Sequence, residues 1–449
     1  MKVHFIPVDE NETKHWIIYR PLLKLAFVGN RAMVELAEQA AVGEAAGALP
    51  GGAQALGFLE QVGYFDPEPA VPPIEKRISA AVLLLTNRCQ LRCTYCYASG
   101  GEFEARSLAL ESGKTVIDYV YEQARANGYR EFHLEFHGGG EPSLEWQTLQ
   151  ALTAHARAKH LPSRIKLTSN TIWSEDQCRW IIDNLDGVSV SMDGSPATQD
   201  RQRPFRNHKP SSQVVMRSLQ AMDRARFPYG IRMTACSPWS QLVEDVRFIL
   251  ENSACRAMHV EPAFVIQRGT HLPPSEDQHR QFAAAFLEAY TLADQHQAVL
   301  TYSGARPEAL TQTFCLAPYN AVVINPDNDL VACYEIVDQR QPLSALGTFG
   351  SLRDGQVWLE QARRERLYGL MQARREATCR DCFCQSTCAG DCFTRTFDPG
   401  PEGHLAVTAR CAMNREITRG LLLARIHKHG GVWNGKRPLQ ILAPAGESC

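Results

Sequence analysis

The sequence predicts an α/β protein built around a partial (β/α)6 TIM-like barrel, with a small α+β domain before it and a cysteine-rich domain after it. Six apolar runs alternate with helical stretches from residue 78 onward. Four prolines between residues 67 and 73 set off the first 77 residues, and eight of the 15 cysteines lie between residues 315 and 411. Alternating strands and helices produce a parallel sheet with the helices outside it.

Length and composition narrow the class of protein. At 449 residues, the chain is long enough for several domains of about 150 residues each. A net charge of -2 gives no sign of a nucleic-acid partner. No apolar run approaches the roughly 18 residues of a membrane span and no signal peptide is evident, so we expect a cytoplasmic protein without a membrane partner. Fifteen cysteines in a reducing compartment then indicate metal or redox chemistry.

Residues 1–77 are predicted to form the small N-terminal domain. Residues 16–19 and 25–28 have the pattern of short strands, and residues 31–41 and 53–62 have that of helices. The four prolines that follow predict an extended linker, because proline fixes its own φ and pushes the preceding residue out of the helical region.

Residues 78–305 contain the six predicted β-α units. The predicted strands are Ala81–Leu85, Phe132–His137, Ile165–Ser169, Val188–Met192, Ile231–Ala235 and Met258–Phe264. The predicted helices lie near residues 110–126, 145–158, 175–184, 213–225, 240–252 and 276–293. In such folds, functional residues lie at the carboxyl ends of the strands.

Three cysteines follow the first predicted strand, as Cys89, Cys93 and Cys96. With three and two residues between them, they can hold three corners of a cubane iron–sulfur cluster and leave one iron without a protein ligand. A zinc site is one alternative, but no second pair of Cys or His ligands follows at short spacing. A disulfide framework is another, and it is typical of small secreted chains.

This spacing, with the aromatic Tyr95 just before the last cysteine, resembles the signature of the radical S-adenosylmethionine (radical SAM) superfamily. The resemblance implies a 4Fe-4S cluster on these cysteines, S-adenosylmethionine (SAM) on its open iron, and Tyr95 among the cofactor-binding residues. It also implies that SAM is cleaved to a 5′-deoxyadenosyl radical, which abstracts hydrogen from an unactivated carbon.

Glycines and polar residues follow the later strands, where the resemblance implies contacts with SAM. Gly139 and Gly140 let the backbone approach a ligand, and Glu141 offers an acceptor to the amino group of SAM. Ser169 and Ser191 supply hydroxyls at the next two strands, suited to the ribose or the carboxylate of SAM.

Further polar residues surround the same strand ends. Asp193 follows the fourth strand as another predicted SAM contact. Arg203, in the next loop, either holds the carboxylate of SAM or pairs with neighbouring acids, and the sequence leaves both open. Thr234, His259 and Glu261 are expected to face the barrel lumen, although a His or Glu there is more often structural. No catalytic residue is predicted.

A second group of cysteines lies in residues 306–449. Apart from Cys384, their order is Cys-x17-Cys, a long gap, Cys-x2-Cys-x5-Cys-x3-Cys and one further Cys. This order resembles the SPASM domain of radical SAM enzymes that modify peptides, here followed by a C-terminal helix and tail. The resemblance implies two auxiliary 4Fe-4S clusters, one on Cys315, Cys333 and Cys392 and one on Cys379, Cys382, Cys388 and Cys411.

The sequence departs from some relatives at Ala321, where a fully closed first auxiliary cluster has one more cysteine. That cluster is therefore predicted to lack one protein thiolate. It is either open to substrate or capped by Cys384, which lies close to the motif in the sequence.

An oxidative reaction requires a second electron to leave the substrate, and auxiliary clusters offer it a route. Three clusters therefore favour an oxidative reaction. The resemblance implies a maturase of a ribosomally made precursor peptide (RiPP) that forms a carbon–carbon cyclophane or thioether crosslink. A sulfatase-type maturase that forms formylglycine is an alternative, although Tyr334 stands where that family has an Asp after the second SPASM cysteine. A non-catalytic zinc-stabilised scaffold is the alternative from another class.

The implied partners are a precursor peptide with a leader and an external electron donor such as flavodoxin or ferredoxin. Many peptide-modifying relatives carry a winged-helix-like leader-recognition domain in the position of residues 1–77. These residues are therefore predicted either to bind a leader or to be a packing extension of the barrel.

Overall fold

The computed structural model describes residues 1–9, 12–42, 52–264, 268, 274–398, 400 and 403–435. Within these residues the strands form an 11-stranded sheet, a four-stranded sheet and a two-stranded hairpin. None of the helices in these ranges combines the length and the apolar character that a membrane span requires.

The N-terminal domain is a three-stranded antiparallel meander followed by two helices. Its elements are β1 (His4–Asp9), β2 (Glu12–Arg20), β3 (Leu25–Asn30), α1 (Arg31–Val42) and α2 (Gly52–Gln61). The sheet is covered on both faces, since Ile18 packs with the helices while Ile17 and Tyr19 belong to a second apolar cluster. Strand β1 was not predicted. Its Pro7 is tolerated because β1 is an edge strand, where no partner needs the missing N–H.

The barrel confirms the predicted α/β fold, with parallel pairing from β4 to β10. Its strands are β4 (Ala80–Leu84), β5 (Phe132–His137), β6 (Ser163–Ser169), β7 (Gly187–Ser191), β8 (Tyr229–Ala235), β9 (Ala257–Pro262) and β10 (Val299–Thr301). Its helices are α3 (Leu110–Ala126), α4 (Trp146–Arg157), α5 (Glu175–Asn184), α6 (Pro196–Gln202), α7 (Ser212–Ala225), α8 (Gln241–Asn252) and α9 (Glu276–Gln295). Strand β10 is an additional seventh strand, and its three residues are too few for a recognisable sequence pattern.

Local sequence signals fix where two of the barrel helices begin. Ser174 before α5 and Ser275 before α9 each accept a hydrogen bond from a backbone N–H three residues later. In both cases the Gln at that position bonds back to the serine backbone, which completes a capping box.

The C-terminal part of the chain continues the barrel sheet. Its elements are α10 (Ala317–Asn320), β11 (Ala321–Ile324), β12 (Asp329–Val331), α11 (Ser344–Gly347), β13 (Thr348–Arg353), β14 (Gln356–Leu359), α12 (Gln361–Thr378), α13 (Phe393–Thr396), β15 (Phe397–Asp398), β16 (His404–Leu405), α14 (Arg410–Lys428) and β17 (Val432–Trp433). Strand β11 pairs in parallel with β4, and β12 to β14 follow it as antiparallel strands.

Helix α14 connects all three parts of the molecule. It packs against barrel helix α9, and its Leu422 and Ile426 pack with Ile17 and Tyr19 of the N-terminal sheet. Strand β17 then pairs with β3, so the last strand of the described chain completes the first sheet.

Candidate active site

The first cysteine triad lies on the loop after β4 and consists of Cys89, Cys93 and Cys96. The segment at the end of α6 holds this loop in place: Arg92 N donates to Pro204 O at 2.8 Å, and Thr94 N donates to Gln202 O at 2.9 Å. Burial raises the pKa of Cys93 to about 11. A buried thiol ionises readily only beside a cation, which the iron of a cluster supplies.

Glycines allow the loop after β5 to approach the triad closely. Gly139 has a φ of 86°, in the left-handed region that favours glycine. A Cβ on Gly140 would lie 2.0 Å from the carbonyl oxygen of Arg88, next to the first cysteine. The backbone conformation and close packing beside the triad therefore explain why glycine is needed at both positions. The contact of these glycines with SAM stays a prediction.

The carboxylate of Glu141 is buried and bonded to the ends of two loops. Its Oε1 accepts from Ser143 N at 3.1 Å, Ser143 Oγ at 2.7 Å and Ser169 Oγ at 2.7 Å, and its Oε2 accepts from Asn170 N at 2.8 Å. Burial raises the pKa of Glu141 above its ordinary value, although these hydrogen bonds oppose the shift. Two residues predicted as separate cofactor contacts, Glu141 and Ser169, are thus bonded to each other.

Tyr95, Asp193 and Arg203 form one buried network. The Tyr95 hydroxyl donates to Asp193 Oδ2 at 2.5 Å, and Arg203 Nε lies 3.0 Å from Asp193 Oδ1. Gln202 Nε2 and Thr234 N donate to the same carboxylate at 2.8 and 2.9 Å. Of the two predictions for Arg203, the structure shows pairing with a neighbouring acid.

The placement of Asp193 differs from the predicted direct contact with SAM. Its side chain is 0% exposed, and it is not among the described residues that line the cavity at this site. The four protein partners use its carboxylate oxygens, so Asp193 lies behind the wall and holds Tyr95 and Arg203 in place.

One cavity of about 750 Å³ joins the first cysteine triad to a second. The second cysteine triad consists of Cys315, Cys333 and Cys392, and all six thiols line this cavity. The cavity is also lined by seven of the predicted cofactor-binding residues: Tyr95, Gly139, Gly140, Glu141, Ser169, Ser191 and Arg203. The structure therefore brings residues from the loops after β4, β5 and α6, from the ends of β6 and β7, and from the C-terminal region to one space.

Backbone N–H groups point at sulfur in both triads. Gly100 N donates to Cys96 Sγ at 3.5 Å, Ala317 N to Cys315 Sγ at 3.4 Å and Glu335 N to Cys333 Sγ at 3.5 Å. Hydrogen bonds to sulfur are one of the features by which proteins adjust iron–sulfur clusters.

A bidentate ion pair joins two loops of the second triad. Arg395 Nη1 donates to Glu335 Oε2 at 2.7 Å, and Arg395 Nη2 donates to Glu335 Oε1 at 2.6 Å. Glu335 lies two residues after Cys333 and Arg395 three residues after Cys392. The pair therefore fixes the separation of two thiols that the sequence places far apart.

The structure places Ala321 and Cys384 away from this cavity. Ala321 begins β11, and neither residue is among the described residues that line the cavity. Cys384 is buried, and its thiol is hydrogen-bonded to the sulfur of Cys382. Cys384 also packs in one apolar cluster with Cys388, against which Cys315, Cys382 and Cys392 lie. Whether Cys384 caps the first auxiliary cluster or that cluster is open to substrate stays a prediction.

The remaining predicted cysteine set, called the four-cysteine site, consists of Cys379, Cys382, Cys388 and Cys411. Arg374 Nη2 donates to Cys411 Sγ at 3.5 Å, and Asn414 Nδ2 donates to Cys388 Sγ at 3.4 Å. Hydrogen bonds from Cys384 lower the pKa of Cys382, and the charge of Arg415 lowers it further. Donors and cations thus surround these thiols.

One part of the cavity wall is aromatic and was not predicted from the sequence. The rings of His137 and Tyr334 stack with centroids 3.9 Å apart. Burial lowers the pKa of His137 to about 4, so its imidazole is neutral near pH 7. The nearness of His137 to the glycine motif was the available sequence signal, and nothing in the sequence indicated the stacking.

A cluster of polar side chains forms another part of the cavity wall, and it includes His259 and Glu261, which were expected to face the barrel lumen. His259 Nε2 lies 3.1 Å from Glu261 Oε1, to which Ser303 N also donates at 3.1 Å. Arg410 Nη2 lies 3.9 Å from Glu261 Oε2 and its Nε pairs with Asp391 at 3.1 Å. Arg410 was not predicted, because its role depends on contacts between distant parts of the chain.

The arrangement of donors bears on the type of metal. Within the described ranges, no three His, Cys, Asp or Glu side chains converge on one metal ion. A structural zinc site requires four donors about 2.0–2.3 Å from a single ion. Iron–sulfur clusters are likewise held by cysteine thiolates, the type of donor in the two triads and in the four-cysteine site.

Comparison with known proteins points to one superfamily. Residues 83–240 match the family model described as the Radical SAM superfamily. An uncharacterized protein of Methanocaldococcus jannaschii is 27% identical over 33% of this chain and 50% of its own length. The serine-type anaerobic sulfatase-maturating enzyme of Klebsiella aerogenes is 21% identical over 68% of this chain and 76% of its own length. Mycofactocin maturase MftC of Mycolicibacterium smegmatis is 26% identical over 35% of this chain and 38% of its own length. The chain thus spans about half the length of the first of these relatives.

Solved structures show the same fold. The structure titled native anSMEcpe with bound AdoMet and Kp18Cys peptide aligns with a TM-score of 0.60 at 15% identity. The alignment covers 78% of this chain and 99% of that one. The likeness therefore extends well beyond the segment that matches the family model.

Proposed function

From the radical SAM domain that residues 83–240 form, we propose that this chain is a peptide maturase. It would abstract hydrogen from a side chain of a precursor peptide and form an oxidative crosslink, either a carbon–carbon cyclophane or a thioether. The observation that carries the proposal is the single cavity lined by both cysteine triads. A substrate in this cavity would lie between the SAM site and an auxiliary cluster.

The residues present fit the implied cofactors. The first cysteine triad offers three half-buried sulfur donors beside a glycine-lined approach, where a Cβ on Gly140 would clash with the backbone of Arg88. Glu141, Ser169 and Ser191 line the same space and would hold SAM, while the other cysteine sets would hold two auxiliary 4Fe-4S clusters. When bound, SAM and the first cluster would supply a radical that abstracts hydrogen.

The protein's own residues would position the cofactor and the substrate. Asp193 anchors Tyr95 and Arg203, so the first cysteine loop stays fixed against α6. The buried wall excludes water from the reacting groups. Forming the crosslink removes two hydrogens from the peptide, one as an atom and one as a proton and an electron. The electron would pass to the auxiliary cluster on the second triad, and an external donor such as flavodoxin or ferredoxin would reduce the first cluster.

Formylglycine formation on a protein is the second candidate. The alignment with the Klebsiella aerogenes enzyme over 68% of this chain favours it. Against it, the residue after Cys333 is Tyr334, whose ring stacks on His137 instead of offering a carboxylate. The nearby Glu335 is engaged by both terminal nitrogens of Arg395.

The N-terminal sheet bears on the proposed leader binding. A peptide can add as a strand to an open sheet edge. Strand β1 carries Pro7 on one edge, and β17 pairs with Ala26 and Phe27 of β3 at the other. These pairings and the packing on α14 support the packing-extension prediction, and leader binding would need β3 beyond these two residues.

Anaerobic reconstitution tests the proposal. The loaded protein should contain about twelve irons per chain, the number for three 4Fe-4S clusters. With SAM, reductant and the peptides encoded beside its gene, it should make 5′-deoxyadenosine and a peptide lighter by two hydrogens. Cys89→Ala should lose about four irons and all deoxyadenosine, whereas Cys236→Ala, at a buried thiol outside the three sets, should lose neither. An aldehyde in the product would favour formylglycine formation, and a colourless protein binding only zinc would reject both candidates.

A further inference from the structure

The loop of the four-cysteine site is covered by the N-terminal domain. The side-chain ammonium of Lys2, just before β1, donates to Arg380 O at 3.3 Å and also to Gln385 Oε1. Both acceptors lie on the loop between Cys379 and Cys388. A cation just before the first strand therefore contacts a loop nearly 380 residues away in the chain.

Lys2 is held there by a buried anchor. Its backbone N donates to Glu68 Oε1 at 2.6 Å, and the same oxygen accepts from Arg20 Nη2 at 2.8 Å. Arg20 is only 2% exposed, so this part of the domain cannot move without breaking an interior ion pair. Lys2 is positioned by the fold rather than by chance contact of a flexible side chain.

Apolar contacts fasten the same two parts of the molecule. The ring of Phe383 meets that of His4 edge-on at a centroid distance of 6.4 Å, and it packs with the cluster that contains Ile6, Ile17 and Tyr19. The Tyr19 hydroxyl of the same cluster is buried without a hydrogen-bond partner among the described residues. The N-terminal sheet and the cysteine loop therefore pack as one unit.

We infer that Lys2 is a positioning residue that raises the reduction potential of the cluster at the four-cysteine site and so couples the N-terminal sheet to electron transfer. This inference rests on the proposed cluster at that site. Reduction adds one negative charge to a cluster, and a cation fixed nearby stabilises the reduced form, since net charge and hydrogen bonding set these potentials. The Lys2 ammonium donates to the carbonyl of Arg380, the residue directly after Cys379, which places its charge at this loop.

Redox titration of the reconstituted full chain, followed by electron paramagnetic resonance, tests the inference. The purification tag is placed at the C terminus so that Lys2 keeps its surroundings. Lys2→Gln should lower one of three midpoint potentials, with a threefold to tenfold change in the ratio of reduced to oxidised cluster, or about 28 to 59 mV for one electron. The other two potentials should stay within error. Lys2→Arg, which keeps the charge, should restore the value.

Two further variants separate the charge from general disturbance. Lys14→Gln removes an exposed lysine of β2 and should leave all three potentials unchanged. Glu68→Gln weakens the anchor while keeping the ammonium, and it should produce a smaller shift in the same direction. Unchanged potentials in Lys2→Gln with about twelve irons bound would overturn the inference and leave the proposed function intact. Only about eight irons in the parent protein, with the four-cysteine site empty, would reject both.

Discussion

Removing the guanidinium of Arg395 should disturb the second cysteine triad at Cys333 as well as at Cys392, although only Cys392 is close to Arg395 in the sequence. Arg395 makes two hydrogen bonds of 2.7 and 2.6 Å to Glu335, and the two side chains are only 24% and 10% exposed. Breaking a buried pair by removing one partner costs about 3–5 kcal/mol, since it leaves an uncompensated charge. The remaining exposure of Arg395 argues for the lower end, about 3 kcal/mol.

Thermal unfolding of the reconstituted protein measures this effect. At roughly 2 °C per kcal/mol for a large domain, Arg395→Ala should lower Tm by about 6 °C. It should also release about four irons, because the pair holds the loops of Cys333 and Cys392 together. The matched control is Arg125→Ala on α3, whose partner Glu122 lies 2.6 Å away with side chains 65% and 54% exposed.

The control should leave Tm nearly unchanged, because exposed pairs contribute little to stability. The double variant Glu335→Met with Arg395→Met should be more stable than Arg395→Ala, because it buries no lone charge. Equal losses of Tm in Arg395→Ala and Arg125→Ala would refute the assignment of a buried, loop-joining pair.

Two further predictions concern the first triad and the aromatic wall. Gly140→Ala should lower stability by about 1–3 kcal/mol through overpacking against the Arg88 carbonyl and should reduce iron at the first triad. Gly369→Ala in α12, where a Cβ meets nothing within 4 Å, should stabilise the protein slightly; equal effects on iron content would contradict the close-approach argument. Because the pKa of His137 is lowered to about 4, the unfolded state binds more protons below pH 6.5, and stability should fall as pH drops from 6.5 to 4. In denaturant titrations at each pH, His137→Gln should remove up to about 3 kcal/mol of this change in the free energy of unfolding. The control His208→Gln, at an exposed histidine, should retain the change.

The sequence predicted the barrel well because its strands are apolar runs at regular spacing, and each motif follows a strand end. It could not predict that the Asp193 carboxylate is bonded to its partners from behind the cavity wall. That orientation depends on Tyr95, Gln202 and Thr234, which come from three different elements. Long-range pairs such as Glu335 with Arg395 leave no trace in the spacing of motifs.

Short strands were the other source of error. Strand β11 pairs with β4 although its four residues resemble many other apolar runs. Strand β17 has two residues and depends wholly on β3 for its existence. Such elements are created by the tertiary structure, and local propensity carries little information about them.

The placement of α14 has a consequence for the order in which the molecule can be completed. Chains are synthesised from the N terminus, and domains tend to form as they emerge. The face of the N-terminal sheet with Ile17 and Tyr19 must wait for Leu422 and Ile426, which are synthesised long after it. The same helix brings Cys411 to the four-cysteine site. Completion of the first sheet and of the proposed cluster site therefore both depend on α14, and a variant that lacks this helix should lose both.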